Sequence, residues 1–141
     1  MRVLRPEAIL VCLLLATPAF ASELSITNAW FRAMPANLPA AGYFKLHNGG
    51  PKSVELTGAT SPACGMLMLH KSTMSGGMSQ MSDVESIAIP AGTTLSFQPG
   101  GYHLMCMSPS LHPGGKAVVE LQFVDGRTLA AAFAVKNAKG H

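Results

Sequence analysis

Charge is scarce in this 141-residue chain: Asp, Glu, Lys and Arg together make up 12% of it. From Arg32 to Lys139 the basic residues are scattered without a run or a stripe, so the electrostatic footprint that phosphate backbones require is missing, and nucleic acid is excluded as a partner. Carboxylates are few, and there is no Gly-x-Ser-x-Gly elbow, no His-Glu-x-x-His and no phosphate loop, which reads as a non-catalytic protein. Aromatic residues account for only 6%, and cysteine occurs three times, too few for a disulfide framework. No apolar run reaches the twenty or so residues that span a bilayer. No stretch sustains the 3.6-residue apolar period of an amphipathic helix.

The one apolar run near the start, Ala8–Ala16, follows Arg2 and Arg5 and precedes Ala19-Phe20-Ala21, a small-x-small cleavage site. Residues 1–21 therefore read as a cleaved export leader, broken early by Pro18, with a single mature domain over residues 22–141 and no stable membrane insertion after cleavage. With Arg2, Arg5 and Glu7 gone, eight basic residues face six carboxylates, a net charge of +2. Cys12 leaves as well, and Cys64 and Cys106 remain as two thiols able to pair in an oxidising compartment.

What the chain does have is methionine. Eight follow the leader, five of them (Met66, Met68, Met74, Met78 and Met81) within sixteen residues and two more at Met105 and Met107. They sit among short runs of period-2 alternation punctuated by Gly, Pro and Asn, which predict an all-β domain. Nine strands are expected, near 24–31, 40–47, 53–60, 66–70, 84–89, 93–97, 102–107, 117–124 and 127–135. Asp125-Gly126 is the strongest hairpin signal; Pro99-Gly100-Gly101 and Asn48-Gly49-Gly50-Pro51 mark further tight connections. Strands at this spacing suggest a sandwich or Greek-key barrel. The segment 72–82, rich in Ser, Gly and Met, reads as a loop, and the tail from Lys136 as frayed.

Thioether and imidazole together are soft-to-borderline donors that suit Cu(I) and serve Mg²⁺, Ca²⁺ or structural Zn²⁺ poorly. Outside the cytoplasm a thiolate risks oxidation, whereas a thioether forms no disulfide and has no proton to lose. His70 ends a predicted strand. His103 and Met105, two apart on a later one, share a face, with Leu104 and Cys106 directed to the other. Met81 lies in the segment able to fold over that pair. Met66 and Met68, on a strand, are expected to pack in the core. The methionines of 72–82 have no apolar neighbours to join.

His70, ten residues, Met81, twenty-one residues, His103, one residue and Met105 reproduce the H-x10-M-x21-H-x-M signature, and in this the chain resembles the periplasmic Cu(A) chaperone family, PCuAC. The segments 28–48 (NAWFRAMPANLPAAGYFKLHN), 61–70 (SPACGMLMLH), 89–107 (IPAGTTLSFQPGGYHLMCM) and 121–129 (LQFVDGRTL) are similar to that family too, so the likeness covers nearly the whole mature chain. It implies a cupredoxin-like Greek-key barrel of about eight or nine short strands, and Cu(I) held by His70, Met81, His103 and Met105. It also implies a periplasmic chaperone that passes copper toward the Cu(A) site of cytochrome c oxidase, with oxidase subunit II or another copper-handling assembly protein as partner. The chain is expected to act as a monomer.

Two positions depart from the family pattern. Ser72 stands where many relatives carry a methionine soon after the first histidine, leaving Met74 as the nearest candidate, with Met78 and Met107 as further possible auxiliaries. Cys106 stands where an aliphatic residue is more usual, and its alternation relative to His103 makes it buried packing rather than a ligand. His47 and His112 have no partner and read as ordinary polar residues. Three other functions compete: copper buffering with the same ligands, a blue-copper electron carrier, and a metal-free interaction module. The blue-copper site needs a thiolate, two imidazoles and an axial methionine, and no methionine follows Met107.

Overall fold

The computed structural model describes residues 23–141; the expected leader, residues 1–21, lies outside them. Ten strands form one mixed sheet: β1 (Leu24–Arg32), β2 (Ala40–Asn48), β3 (Val54–Thr60), β4 (Cys64–Ser75), β5 (Met78–Asp83), β6 (Ile87–Ile89), β7 (Thr94–Phe97), β8 (Tyr102–Pro109), β9 (Lys116–Phe123) and β10 (Thr128–Lys136). The spatial order is β5-β4-β8-β7-β2-β1-β10-β9-β3-β6. β2 is shared: its first half pairs with β8 (Ala41 opposite Met105) and its second with β7 (Phe44 opposite Phe97). β1 runs parallel to β10 and antiparallel to β2. The sheet curls until β3 lies beside β4, with a crevice lined by Thr57, Gly58, Met68 and Asp83 where the two meet. This is the all-β architecture expected, with ten strands in place of eight or nine.

Alternation explains the core. In β9, Ala117, Val119, Leu121 and Phe123 point inward and Lys116, Val118 and Glu120 outward. Aromatic residues are rare but concentrated: Phe31, Phe44, Phe97, Phe123 and Phe133 are all buried, and Phe44 meets Phe97 and Phe133 at centroid distances of 4.4 and 5.6 Å. Asn48, buried at the end of β2, is satisfied: its side-chain amide donates to the Lys52 and Ile89 carbonyls and its oxygen accepts from Gly50 N–H. A bulge in β1 between Thr27 and Trp30, with Asn28 at φ 51°, shifts the phase of that strand. Leu24 and Ile26 face inward before it and Phe31 after it, so Trp30 and Arg32 turn outward.

The expected turns are present. Gly126 adopts φ 88° and Asp125 Oδ1 accepts from Arg127 N–H in the β9–β10 hairpin; Gly101 N–H donates to Gln98 O ahead of β8. One expectation fails: residues 72–82 are not a loop. β4 runs on to Ser75, Gly76 and Gly77 turn the chain at φ 59° and 77°, and β5 returns from Met78. Period-2 alternation of apolar and polar residues is written only where one face is buried, and every residue of β5 is exposed, so that ribbon carried no such signal. The two-glycine turn matches the positive φ values that a two-residue hairpin demands.

Candidate metal centre

The ladders among β5, β4 and β8 place the candidate donors. His70 lies directly opposite His103, and Met68 opposite Met105. On the other side of β4, His70 pairs with Asp83 and Ser72 with Met81. Paired residues in a sheet share a face, and so do residues two apart on a strand. His70, Met81, His103 and Met105 therefore all belong to the outer face of three neighbouring strands, while Leu69 and Leu104 go into the core beneath them.

The two imidazoles lie close together. Their ring centroids are 5.6 Å apart, nearly perpendicular at 75°. His103 is 4% exposed although it points away from the core. Its Nδ1 lies 3.4 Å from the Gly101 carbonyl, a long hydrogen bond that orients the ring with Nδ1–H toward the backbone and leaves Nε2 buried without a protein partner. Burial pushes the His103 pKa down, the Gly101 contact raises it in part, and the neighbouring His70 lowers it again, so the neutral, ligating form is favoured. His70 Nδ1 is likewise buried and unpartnered, and Asp83 Oδ1 approaches its Nε2 at 2.7 Å without the alignment of a hydrogen bond. Buried ring nitrogens without partners are costly in a protein that binds nothing there.

Among the described residues no group of three or more His, Cys, Asp or Glu side chains is placed to hold a metal ion. Two imidazoles alone make an incomplete site; besides the Asp83 carboxylate, which lies against His70 Nε2, the remaining donors on this face are thioethers. Met105 is half-buried and Met81, on the edge strand, is 61% exposed. That donor set suits a soft monovalent cation. The site is an open face rather than a cleft; the cavity bounded by Glu23, Pro51, Lys52, Val54, Asp125 and Arg127 contains none of these residues.

Other expectations divide. His47 is exposed, with Nδ1 2.9 Å from Thr94 Oγ1, and His112 is exposed, both as ordinary polar residues. Cys106 is fully buried on the inner face, as expected, and is bonded to Cys64 in a disulfide with a Cα–Cα distance of 5.3 Å. Met74 lies on the donor face beyond Ser72, and Met78 on the opposite face. Met66 and Met68 are not core residues: Leu67 and Leu69 take the inward positions, and Met66 is 58% exposed opposite Met107. The run Met-Leu-Met-Leu is apolar throughout, so its phase is invisible without the partner strand. Asp83, beside His70, was also missed; it continues the alternation from Met81 once β5 is recognised as a strand.

Beside this face stands a cation–aromatic group. Trp30 and Tyr43 are 5.0 Å apart, the Arg32 guanidinium lies over both rings, and Lys136 Nζ lies 4.7 Å from the Trp30 centroid. Burial raises the Tyr43 pKa, and Arg32 partly offsets it.

The fold is that of a cupredoxin-like β-domain. Residues 24–135 match the family described as "Putative lipoprotein LpqE-like". The chain is 36% identical over 123 residues to "Putative lipoprotein Lxx21020" of Leifsonia xyli subsp. xyli, covering 85% of this chain and 74% of that one. It is similar to a solution structure of CuI-DR1885 from Deinococcus radiodurans, 36% identical with a TM-score of 0.65, over 84% of this chain and 83% of that one. A copper-bound PCuAC domain from PmoF2 shares the fold at 21% identity and a TM-score of 0.67, over 82% and 93% of the two chains. The chain belongs to the PCuAC-like family that the LpqE-like description covers.

Proposed function

We propose that this chain is an exported copper chaperone that takes up Cu(I) at His70, Met81, His103 and Met105 and passes it by ligand exchange to an acceptor, the Cu(A) site of cytochrome c oxidase subunit II. The observation that carries this reading is the register of β5, β4 and β8, which gathers two imidazoles and two thioethers on one face with ring nitrogens left unpartnered. DR1885, a relative at 36% identity, is described with Cu(I). All four donors are neutral in their ligating form, so the bound ion keeps a single positive charge, and the soft set favours the cuprous state. No open coordination position of the kind a catalytic metal keeps is needed, and the reading is non-catalytic. The lipoprotein descriptions of the family and of the Leifsonia relative support export to the cell envelope, with residues 22–141 as the working domain.

Anaerobic titration of residues 22–141 with Cu(I) against a competing chelator tests the site: His103→Ala and Met105→Ala lose affinity, and unchanged affinity in both ends the proposal. Mixing the loaded protein with a metal-free soluble fragment of oxidase subunit II tests the acceptor. Assembly of the dinuclear centre supports delivery, whereas no transfer, with protection of cells from excess copper, assigns buffering instead.

A further inference from the structure

The donor face does not stop at the four proposed ligands. Along β4 and β8 the outward positions after His70 and His103 are Met68 opposite Met105, then Met66 opposite Met107. Directly opposed residues on one sheet face have Cβ atoms about 4.5–5.5 Å apart, well within the span of two flexible thioether side chains closing on one ion. Met66 is 58% exposed and Met107 36%, while Leu67 and Cys106 on the next rung are turned inward. Neither methionine fills the core, the role that ordinarily accounts for methionine on a strand.

From these positions we infer that Met66, Met68 and Met107 form a second site for a soft monovalent ion, Cu(I) or its surrogate Ag(I), built from three thioethers. It begins at Met68, two residues from the histidine pair, and extends to the Met66–Met107 pair, four residues or about 13 Å along the strands. Three neutral sulfur donors match the softness of these ions and discriminate against harder divalent cations. Met105, opposite Met68, stays with the histidines, so the two sites adjoin without sharing a donor. The site has no imidazole and no carboxylate and is more exposed than the histidine pair. It is therefore the weaker and more readily emptied of the two, placed where an ion arrives or departs along the face. This goes beyond the four-donor reading and stands on different residues, although both concern the same cargo.

Native mass spectrometry and equilibrium dialysis with Ag(I), together with methyl NMR of the methionine-labelled folded domain, test it. The wild type takes up two ions, and the Met66 and Met107 methyl resonances move only with the second. Met66→Leu/Met107→Leu, at exposed positions where Leu preserves size, takes up one ion with unchanged affinity for the first. Met74→Leu still takes up two. A His70→Ala/His103→Ala protein keeps the thioether ion and loses the tighter one. Uptake of two ions by Met66→Leu/Met107→Leu, or Met66 and Met107 methyls that stay fixed through the second equivalent, overturns the inference and leaves the four-donor site standing. Retention of tight binding in the histidine double variant would overturn the four-donor reading alone.

Discussion

His70 and His103 face each other across the β4–β8 ladder, their rings 5.6 Å apart and nearly perpendicular, with Leu69 and Leu104 directly beneath on the buried side. Two strands from distant parts of the chain hold this pair in register, so the spacing between the rings is a property of the sheet and not of either side chain.

Removing one ring leaves the other without its partner donor. His103→Ala is expected to lower Cu(I) affinity at least tenfold, about 1.4 kcal/mol or more, while the fold is retained because His103 lies on the outer face. Competition titration reads the affinity and far-UV circular dichroism the fold.

The lowered His103 pKa sets a pH dependence. The unfolded chain takes up this proton near 6.5, the ordinary value, whereas the folded chain resists until lower pH. Below about pH 6.5 the unfolded state thus binds more protons, and stability falls as the pH drops until it passes the folded pKa, where this contribution levels off. Urea midpoints of the copper-free protein between pH 7.5 and 4.5 show this decline, and His103→Gln flattens it. Cu(I) affinity follows the same direction, falling as protons compete for the ring nitrogens.

The Cys64–Cys106 bridge closes a loop with a sequence separation of 42, for which chain entropy gives about 4 kcal/mol. Cys64→Ser/Cys106→Ala should lose roughly 2–4 kcal/mol in urea unfolding. Cu(I) stoichiometry should not change, because Cys106 faces the core. A lower copper count in that variant would show that the sulfurs take part in binding.

Gly42 sits on β2 opposite Leu104, and an added Cβ would come within 2.7 Å of Phe31 Cε1 and 3.2 Å of Leu104 Cβ. Both side chains are fully buried. Gly42→Ala should cost about 1–3 kcal/mol by overpacking, read as a lower thermal midpoint. Copper affinity should weaken with it, since Leu104 lies between His103 and Met105.

Much of this was legible in the sequence wherever burial writes a pattern. β9 alternates because one face is wet and the other packed, and Asp125-Gly126 marks its turn into β10. The shared face of His103 and Met105 was readable because His-x-Met on a strand fixes it, whereas the four-residue set came from the resemblance to the PCuAC signature. Three features were not. β5 is exposed on both faces, so nothing in its Ser, Gln and Met residues declares a strand. In Met66–Leu69 every residue is apolar, and only the partner strand reveals which ones face out. The disulfide depends on how far-apart segments meet, which two isolated cysteines do not encode.

Of the four proposed ligands, Met81 alone rides on the outermost strand, which is joined to the rest of the sheet only along β4 and covers no core residue. Displacing that sulfur bends a two-stranded ribbon and uncovers no buried hydrocarbon, whereas displacing His103 or Met105 would disturb a strand seated on the core. An acceptor can therefore substitute its own donor for Met81 first, while the other three still grip the ion, and the handover need never release free copper.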